Sequence, residues 1–291
     1  MRFLNFRHRW FGGSVALSLA VIGGLCWPLL AHGKEPLRFA PLPRESPEVV
    51  LLQFLAMTQY LEQQGQPVEF VFYDQYDELL RAFQDGRVDL AYLGPLSYVY
   101  LRDRHPAADP LVRFNEADGQ PSYRCVLVGF SGDRIDLARR QDLTVALTQP
   151  LSTCGYMGTD RLLRPAAGIS LAKTRYRYLD SHEAVALSVL SGEFAVGGMK
   201  DDIAAGFADL GLIVLAQTKR KMPGHALVAN GRTVSAEQRA ELTRLLLSAP
   251  AAEYGNWGTP IRHGAQATDD ADFDVIRTMR DLLPLAEVTA R

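Results

Sequence analysis

Short β-branched or aromatic runs alternate with amphipathic helical runs along this chain, and that alternation narrows its fold more than any other feature. Residues 37–39 read as a strand. Ser46-Pro47-Glu48 then supplies an N-cap, a first-turn proline and an acid matched to the helix dipole ahead of the apolar run 49–61, which Gly65 closes. Residues 68–72 read as a second strand, 76–83 as a helix, and 88–93 as a third strand that stops at Gly94-Pro95. A looser stretch rich in Asp and Pro follows. A second series then opens with strands 125–130 and 143–147. It continues through helix 155–163, strand 174–178, helix 182–190, strand 195–199, helix 201–210 and strand 212–215. Two such series predict an α/β protein of two lobes, each a sheet with parallel pairing covered by helices. In the tail, Ser235-Ala236-Glu237-Gln238 has the form of a capping box ahead of Leu242, Leu245 and Leu246. Residues 257–270 read as a loop and 272–283 as an amphipathic helix, and the tail helices are expected to pack back on the first lobe.

With 291 residues, 47% of them hydrophobic and 22% charged, the chain can bury ordinary cores, which excludes disorder and fibres. A net charge of −2 without a basic block beyond the first ten residues excludes nucleic acid as a partner. An anionic ligand would have to be held by local groups. Arg2, Arg7 and Arg9 precede the apolar run 11–31, and Lys34, Glu35 and Pro36 follow it, the order of a secretory signal peptide. Ala31-His32-Gly33 puts small residues at the two positions a signal peptidase reads, so residues 1–33 are expected to leave and the mature protein to be periplasmic. An uncleaved membrane anchor is the alternative, because the run approaches the ~20 residues of a spanning helix. Cleavage removes Cys26 and leaves Cys125 and Cys154. An oxidising compartment permits a bond between them, but the sequence supplies no distance, and two separate buried thiols are the expectation. Neither cysteine has a second Cys or His at zinc spacing, so no metal is expected, and no cofactor.

The segment Pro150-Leu151-Ser152-Thr153-Cys154-Gly155-Tyr156 joins a predicted strand to a predicted helix. Two hydroxyls and several backbone N–H groups therefore meet at a positive helix end, which suits an oxyanion. A Ser or Thr here also serves as an ordinary N-cap. Its place at the carboxyl end of a strand in an open α/β sheet is where ligands bind, which favours function. Leu93-Gly94-Pro95-Leu96-Ser97-Tyr98 makes the equivalent turn in the first lobe. Tyr76 and Tyr123 can face a cleft or sit in the core with the hydroxyl outward. His182 opens a helix, as an anion donor or as a half-buried helix-end histidine. Asp201 and Asp202 open another, where dipole compensation alone accounts for acids.

In order along the chain, five stretches resemble the phosphate/phosphite/phosphonate-binding proteins of ABC transporters. They are Glu45-Ser46-Pro47-Glu48, the segment 88–98, Ser122-Tyr123-Arg124, Ser152-Thr153-Cys154-Gly155-Tyr156 and the segment 181–192, and the resemblance runs from about residue 37 to 250. It implies a type II periplasmic binding protein fold: two α/β lobes, a central mixed sheet in each, two hinge crossovers and a ligand buried by closure. Lobe 1 is then 34–121 plus about 217–291, and lobe 2 is 122–216. The implied role is capture of a small oxyanion of the phosphonate, phosphite or phosphate class for an inner-membrane ABC permease, with no catalysis. Tyr76 and Tyr123 become cleft walls, Ser152, Thr153 and Cys154 the oxyanion cradle, and His182 a further donor. Asp201 becomes an acid facing the ligand, one that favours an oxyanion still carrying a proton. Three departures from the pattern favour a ligand without an amine. Cys154 replaces a second serine, His225 in Met222-Pro223-Gly224-His225 replaces the acid of an Ile-Pro-x-Asp turn, and Lys200 adds a cation. Two other readings are a periplasmic sensor subunit working through a membrane protein, and an enzyme built on a Cys154/His182 pair.

Overall fold

The two strand-and-helix series become two sheets in the computed structural model, which describes residues 34–133, 137 and 142–279. The expected signal peptide, 1–33, and the end of the helix read over 272–283 lie outside the described residues.

The first series supplies β1 (Leu37–Pro41), α1 (Pro47–Gln63), β2 (Val68–Phe70), α2 (Tyr76–Gln84), β3 (Leu90–Leu93) and α3 (Pro95–Arg104). β1 lies between β2 and β3 and is parallel to both. The stretch that reads as loose contains β4 (Ala108–Phe114). Asp109, Pro110 and Arg113 break its apolar pattern, and the ladder shifts register beside Pro110, where an N–H is missing. The sheet is completed by β12 (Ala226–Asn230), antiparallel to β3 and β4, and by the edge strand β13 (Ala265–Ala267) inside the segment read as loop. Its order is β13-β4-β12-β3-β1-β2.

The second sheet has the order β10-β6-β9-β7-β8. Its strands are β6 (Cys125–Phe130), β7 (Thr144–Leu147), β8 (Arg175–Tyr178), β9 (Val196–Lys200) and β10 (Leu212–Gln217), and its helices α4 (Tyr156–Ala167), α5 (His182–Leu190) and α6 (Asp201–Ala205). β7 is parallel to β8 and β9, while β6 is antiparallel to β9 and β10. Both sheets are therefore mixed: parallel where βα units wind, antiparallel where the chain crosses between lobes. The helix read over 201–210 ends at Ala205. A 3-10 turn, Ala208–Leu210, follows it, and Gly211 reverses the chain at φ +94°.

After β4 the chain forms the two-residue strand β5 (Ser122–Tyr123), builds the second sheet, and returns through β11 (Met222–Pro223), which pairs antiparallel with β5. Arg124 Nη1 donates to the carbonyls of Thr218 and Lys219, both at 2.6 Å, fastening one crossover to the other. The returning chain adds α7 (Ala236–Ser248), α8 (Ala251–Gly255) and α9 (Asp274–Arg277), with α7 against β4 of the first sheet. Ser235 caps α7 by accepting the Gln238 N–H, but the Gln238 side chain reaches Gln66 and does not close the box.

The expectation of two separate thiols is corrected. Cys125 at the start of β6 and Cys154 in the loop before α4 form a disulfide, with Cα atoms 5.0 Å apart. A separation of 29 residues concealed that proximity, because α4 lies on β6 and brings its own leading loop over the beginning of that strand.

Candidate ligand-binding site

Strands that run parallel deliver all their carboxyl ends to one side of a sheet, and here the two sheets present those sides to each other. The segments leaving β1, β3, β7, β8 and β9 all reach one small cavity. Four helices begin against it. Tyr76 is the first residue of α2, Gly94 the N-cap of α3, and His182 the first residue of α5. Ser152, Thr153 and Cys154 run into Gly155, the N-cap of α4. Each helix is at least two turns long, so four positive dipole ends and their leading N–H groups converge on one space.

Thr153 is buried, and its Oγ1 accepts the Leu96 N–H of α3 at 3.1 Å from the opposite sheet. Ser97 Oγ donates to the Leu151 carbonyl at 3.0 Å beside it. Gly94 leaves room for this meeting, since a Cβ there would lie 3.4 Å from His225 Nε2 and 3.8 Å from Thr153 Oγ1. Tyr123 and His225 close the hinge side. His225 stacks between Tyr92 and Tyr123, with ring centroids 5.1 and 5.8 Å away. Burial pushes the Tyr76 hydroxyl up to about 12 and raises those of Tyr92 and Tyr123, so all three stay protonated as donors.

Both histidines are neutral at pH 7. Burial, reinforced by Arg44 and Lys200, lowers His182 to about 3 and holds His225 well below its ordinary range. Each can donate one N–H without carrying charge. His182 Nδ1 is buried without a hydrogen-bond partner, an uncommon condition for a native polar atom and one that a ligand would relieve.

Two cations line the cavity. Lys200 Nζ is held by Glu116 at 2.5 Å across the cleft and by Asp202 at 3.0 Å, and it sits 5.1 Å from the Tyr123 ring centroid. Burial pushes the Glu116 carboxyl up, and the Lys200 ammonium works against that shift. Arg44 is half-buried, lies 5.9 Å from the Tyr92 ring and makes no ion pair among the described residues. It is the positive charge of the lining that remains unneutralised.

Of the residues singled out in the sequence, Tyr76, Tyr123, Ser152, Thr153, Cys154, His182 and His225 all line this cavity, and Asp201 does not. Asp201 opens α6, and its Oδ1 accepts the Asp202 N–H at 3.1 Å, so it serves its own helix end. Lys200, one residue earlier and the last residue of β9, takes the place in the lining. No carboxylate lines the cavity among the described residues, which removes the acceptor expected to favour a protonated oxyanion. Cys154 spends its sulfur in the disulfide, so the Cys154/His182 enzyme reading has no thiolate. Arg44 was missed in the sequence, although it follows β1 as Ser152 follows β7, and the strand-end rule would have found it. Among the described residues no group of three or more His, Cys, Asp or Glu side chains could hold a metal, and no helix is long and apolar enough to cross a membrane.

Two mixed α/β lobes joined by paired crossovers, with a donor-lined cavity at the facing strand ends, define a two-lobed periplasmic binding protein. The family model of ABC-transporter phosphonate periplasmic substrate-binding proteins matches residues 39–280, and the chain belongs to that family. The phosphonates-binding periplasmic protein of Escherichia coli (strain K12) is 27% identical over 175 residues, 57% of this chain and 52% of that one, so the chain spans about half the length of that relative. A binding protein component of an ABC phosphonate transporter from Pseudomonas aeruginosa superposes with a TM-score of 0.69 at 21% identity, covering 85% of this chain and 86% of the other. A Prochlorococcus marinus protein solved in complex with methylphosphonate superposes with a TM-score of 0.70 at 15% identity, covering 84% and 97%. At these identities the superpositions establish the fold.

Proposed function

We propose that this protein captures a small, fully ionised oxyanion in the periplasm, of the phosphonate, phosphite or phosphate class, and delivers it to an inner-membrane ABC permease. One observation carries the reading: four helix N-termini and the unpaired Arg44 guanidinium face a single interlobe cavity that no carboxylate lines. Neutral donors in a dry cleft, here Ser152, Thr153, Tyr76, Tyr123, His182 and His225, can satisfy the oxygens of a dianion while Arg44 balances its charge. A role in binding accords with a family of substrate-binding proteins. Family membership, and the naming of relatives for phosphonates and their transport, support the transport role over a sensory one.

The same charge pattern sets selectivity. An ammonium on the ligand would be buried beside Arg44, Lys200 and two neutral histidines with no acid in the lining to meet it. Calorimetric titration with methylphosphonate, phosphite, phosphate and 2-aminoethylphosphonate tests both points. Binding of at least one amine-free oxyanion, with the amino compound weaker by about tenfold or more, is expected. Failure of every amine-free oxyanion to bind overturns the proposed function, and tightest binding of the amino compound overturns the selectivity.

A further inference from the structure

The Cys125–Cys154 disulfide lies within the architecture of the site. Cys154 lines the cavity between Thr153 and the N-cap of α4. Cys125 follows the hinge strand β5, two residues after the cavity residue Tyr123, and its register partner on β9 is the cavity residue Lys200. One covalent bond therefore joins the oxyanion loop to the hinge and to the strand end that carries the cross-cleft lysine. Both cysteines are buried, at 0% and 2% exposure, so the bond is shielded from solvent. The first turn of α4 is pressed against it: a Cβ on Gly158 would lie 2.9 Å from Cys125 Sγ and 2.9 Å from the Thr153 carbonyl. The Cys125 carbonyl in turn accepts the Thr218 N–H on the second crossover, at 2.9 Å.

We infer that this disulfide is a positioning element of the ligand site, holding Ser152 and Thr153 at the height where they meet α3 and the anion, so that affinity depends on the bond being formed. The inference rests on the anion-site reading above. The physical reason is local. The loop leads into α4 with no side-chain cap on that helix, and Thr153 makes its cross-cleft bond through a single oxygen. Without the tether the loop samples more conformations and binding must order it, a cost that appears as lost affinity.

The test compares the wild-type protein, oxidised, with the same chain refolded in dithiothreitol and with Cys125→Ala/Cys154→Ala, using methylphosphonate, phosphite and phosphate as probes. In the reduced arm the dithiol gives two electrons and two protons to the S–S bond, leaving two thiols and its own cyclic disulfide. Affinity is expected to fall by at least about tenfold in both disulfide-free forms and to return on reoxidation of the reduced chain. A second readout separates positioning from general stapling. Thr153→Ala should cost about ten- to hundredfold in the oxidised protein, and less than about threefold where the loop is already untethered. Equal affinity with and without the bond, a full Thr153→Ala penalty in the disulfide-free protein, or a chain that no longer folds without the bond would each overturn the inference. If the oxidised wild type binds none of the probes, the anion-site reading itself falls and this inference with it.

Discussion

The two lobes solve the same packing problem in opposite ways. In the first, helices rest on the sheet through large rings: Phe54 of α1 meets Phe39 of β1 and Tyr92 of β3 at centroid distances of 5.4 and 4.9 Å, and Tyr92 continues to Phe114 of β4. In the second, the sheet is stripped of side chains where helices cross it. Gly197 and Gly198 of β9 lie beneath α5 and α4, and a Cβ on them would fall 2.5 Å from Val185 Cγ1 and 1.6 Å from Thr159 Oγ1. The consequence is functional. Rings hold helices off the first sheet and carry a stack from Phe54 through Tyr92 to His225, which presents a wall to the cleft. Glycines let α4 and α5 settle directly onto the second sheet, so their N-termini arrive beside the strand ends as the anion cradle. The first lobe contributes Arg44, Tyr76, His225 and the N-termini of α2 and α3 to the cavity, and the second contributes Ser152, Thr153, His182, Lys200 and the N-termini of α4 and α5.

The strongest way to break this contrast is to change volume in each lobe. Phe54→Ala in the first should cost about 3–5 kcal/mol, because a buried ring leaves a cavity. In the second, the reverse change does the damage: Gly198→Ala should cost about 1–3 kcal/mol or more, since Thr159 and the Cys154 carbonyl must move to admit a methyl. Urea unfolding of both variants checks this, and a Gly198→Ala protein as stable as wild type would show that the close helix approach is not required.

A division into wall and cradle also predicts that Arg44 acts on the ligand and not on the fold. Arg44→Ala should weaken binding of methylphosphonate or phosphate about ten- to hundredfold, the cost of ~1.5–3 kcal/mol for a lost charge-assisted contact. Unfolding free energy should stay within about 0.5 kcal/mol of wild type. Calorimetry paired with denaturation decides it. Unchanged affinity would leave the anion to the neutral donors and helix ends and remove Arg44 from the site.

The smallest effect concerns the cradle's neutral donor. His182 titrates near 3 when folded against an ordinary 6.5, so below pH 6.5 the unfolded chain takes up a proton that the folded chain refuses. Stability must therefore fall as pH drops from 6.5 toward 3. His225 acts in the same sense, whereas Glu116, raised by burial, acts in the opposite one, which makes the comparison with a variant the informative quantity. His182→Gln should lose about 2 kcal/mol less than wild type between pH 7 and 5. Parallel pH profiles for the two proteins would place His182 in solvent contact and out of the dry cradle.

How much of this was legible beforehand depends on the range of the interaction. Helices announced by local chemistry were readable: α1 with Ser46 and Pro47 at its start, α5 from His182 to Leu190, α7 behind Ser235. Strands β4, β12 and β13 were not, because pairing with distant partners tolerates Asp109, Pro110 and Arg113 within β4 and gives β13 only three residues. Most cavity residues were found through one rule, that ligands meet open α/β sheets at the carboxyl ends of strands. Arg44, beyond the carboxyl end of β1, obeys the same rule.

By itself, then, the sequence determined the α/β class, the two lobes, the family and the segments from which a site could be built, since periodicity and helix-end chemistry operate over a few residues. Three matters were left to the tertiary structure: that Lys200 and not Asp201 lines the cavity, that Cys125 and Cys154 are bonded, and that Arg44 stands unpaired among neutral donors. The reason is the same for each. Which residue at a strand end lines the cavity, which two sulfurs meet across 29 residues, and which cation finds a carboxylate are settled by the pairing register and helix packing of distant segments, and local sequence carries no record of them.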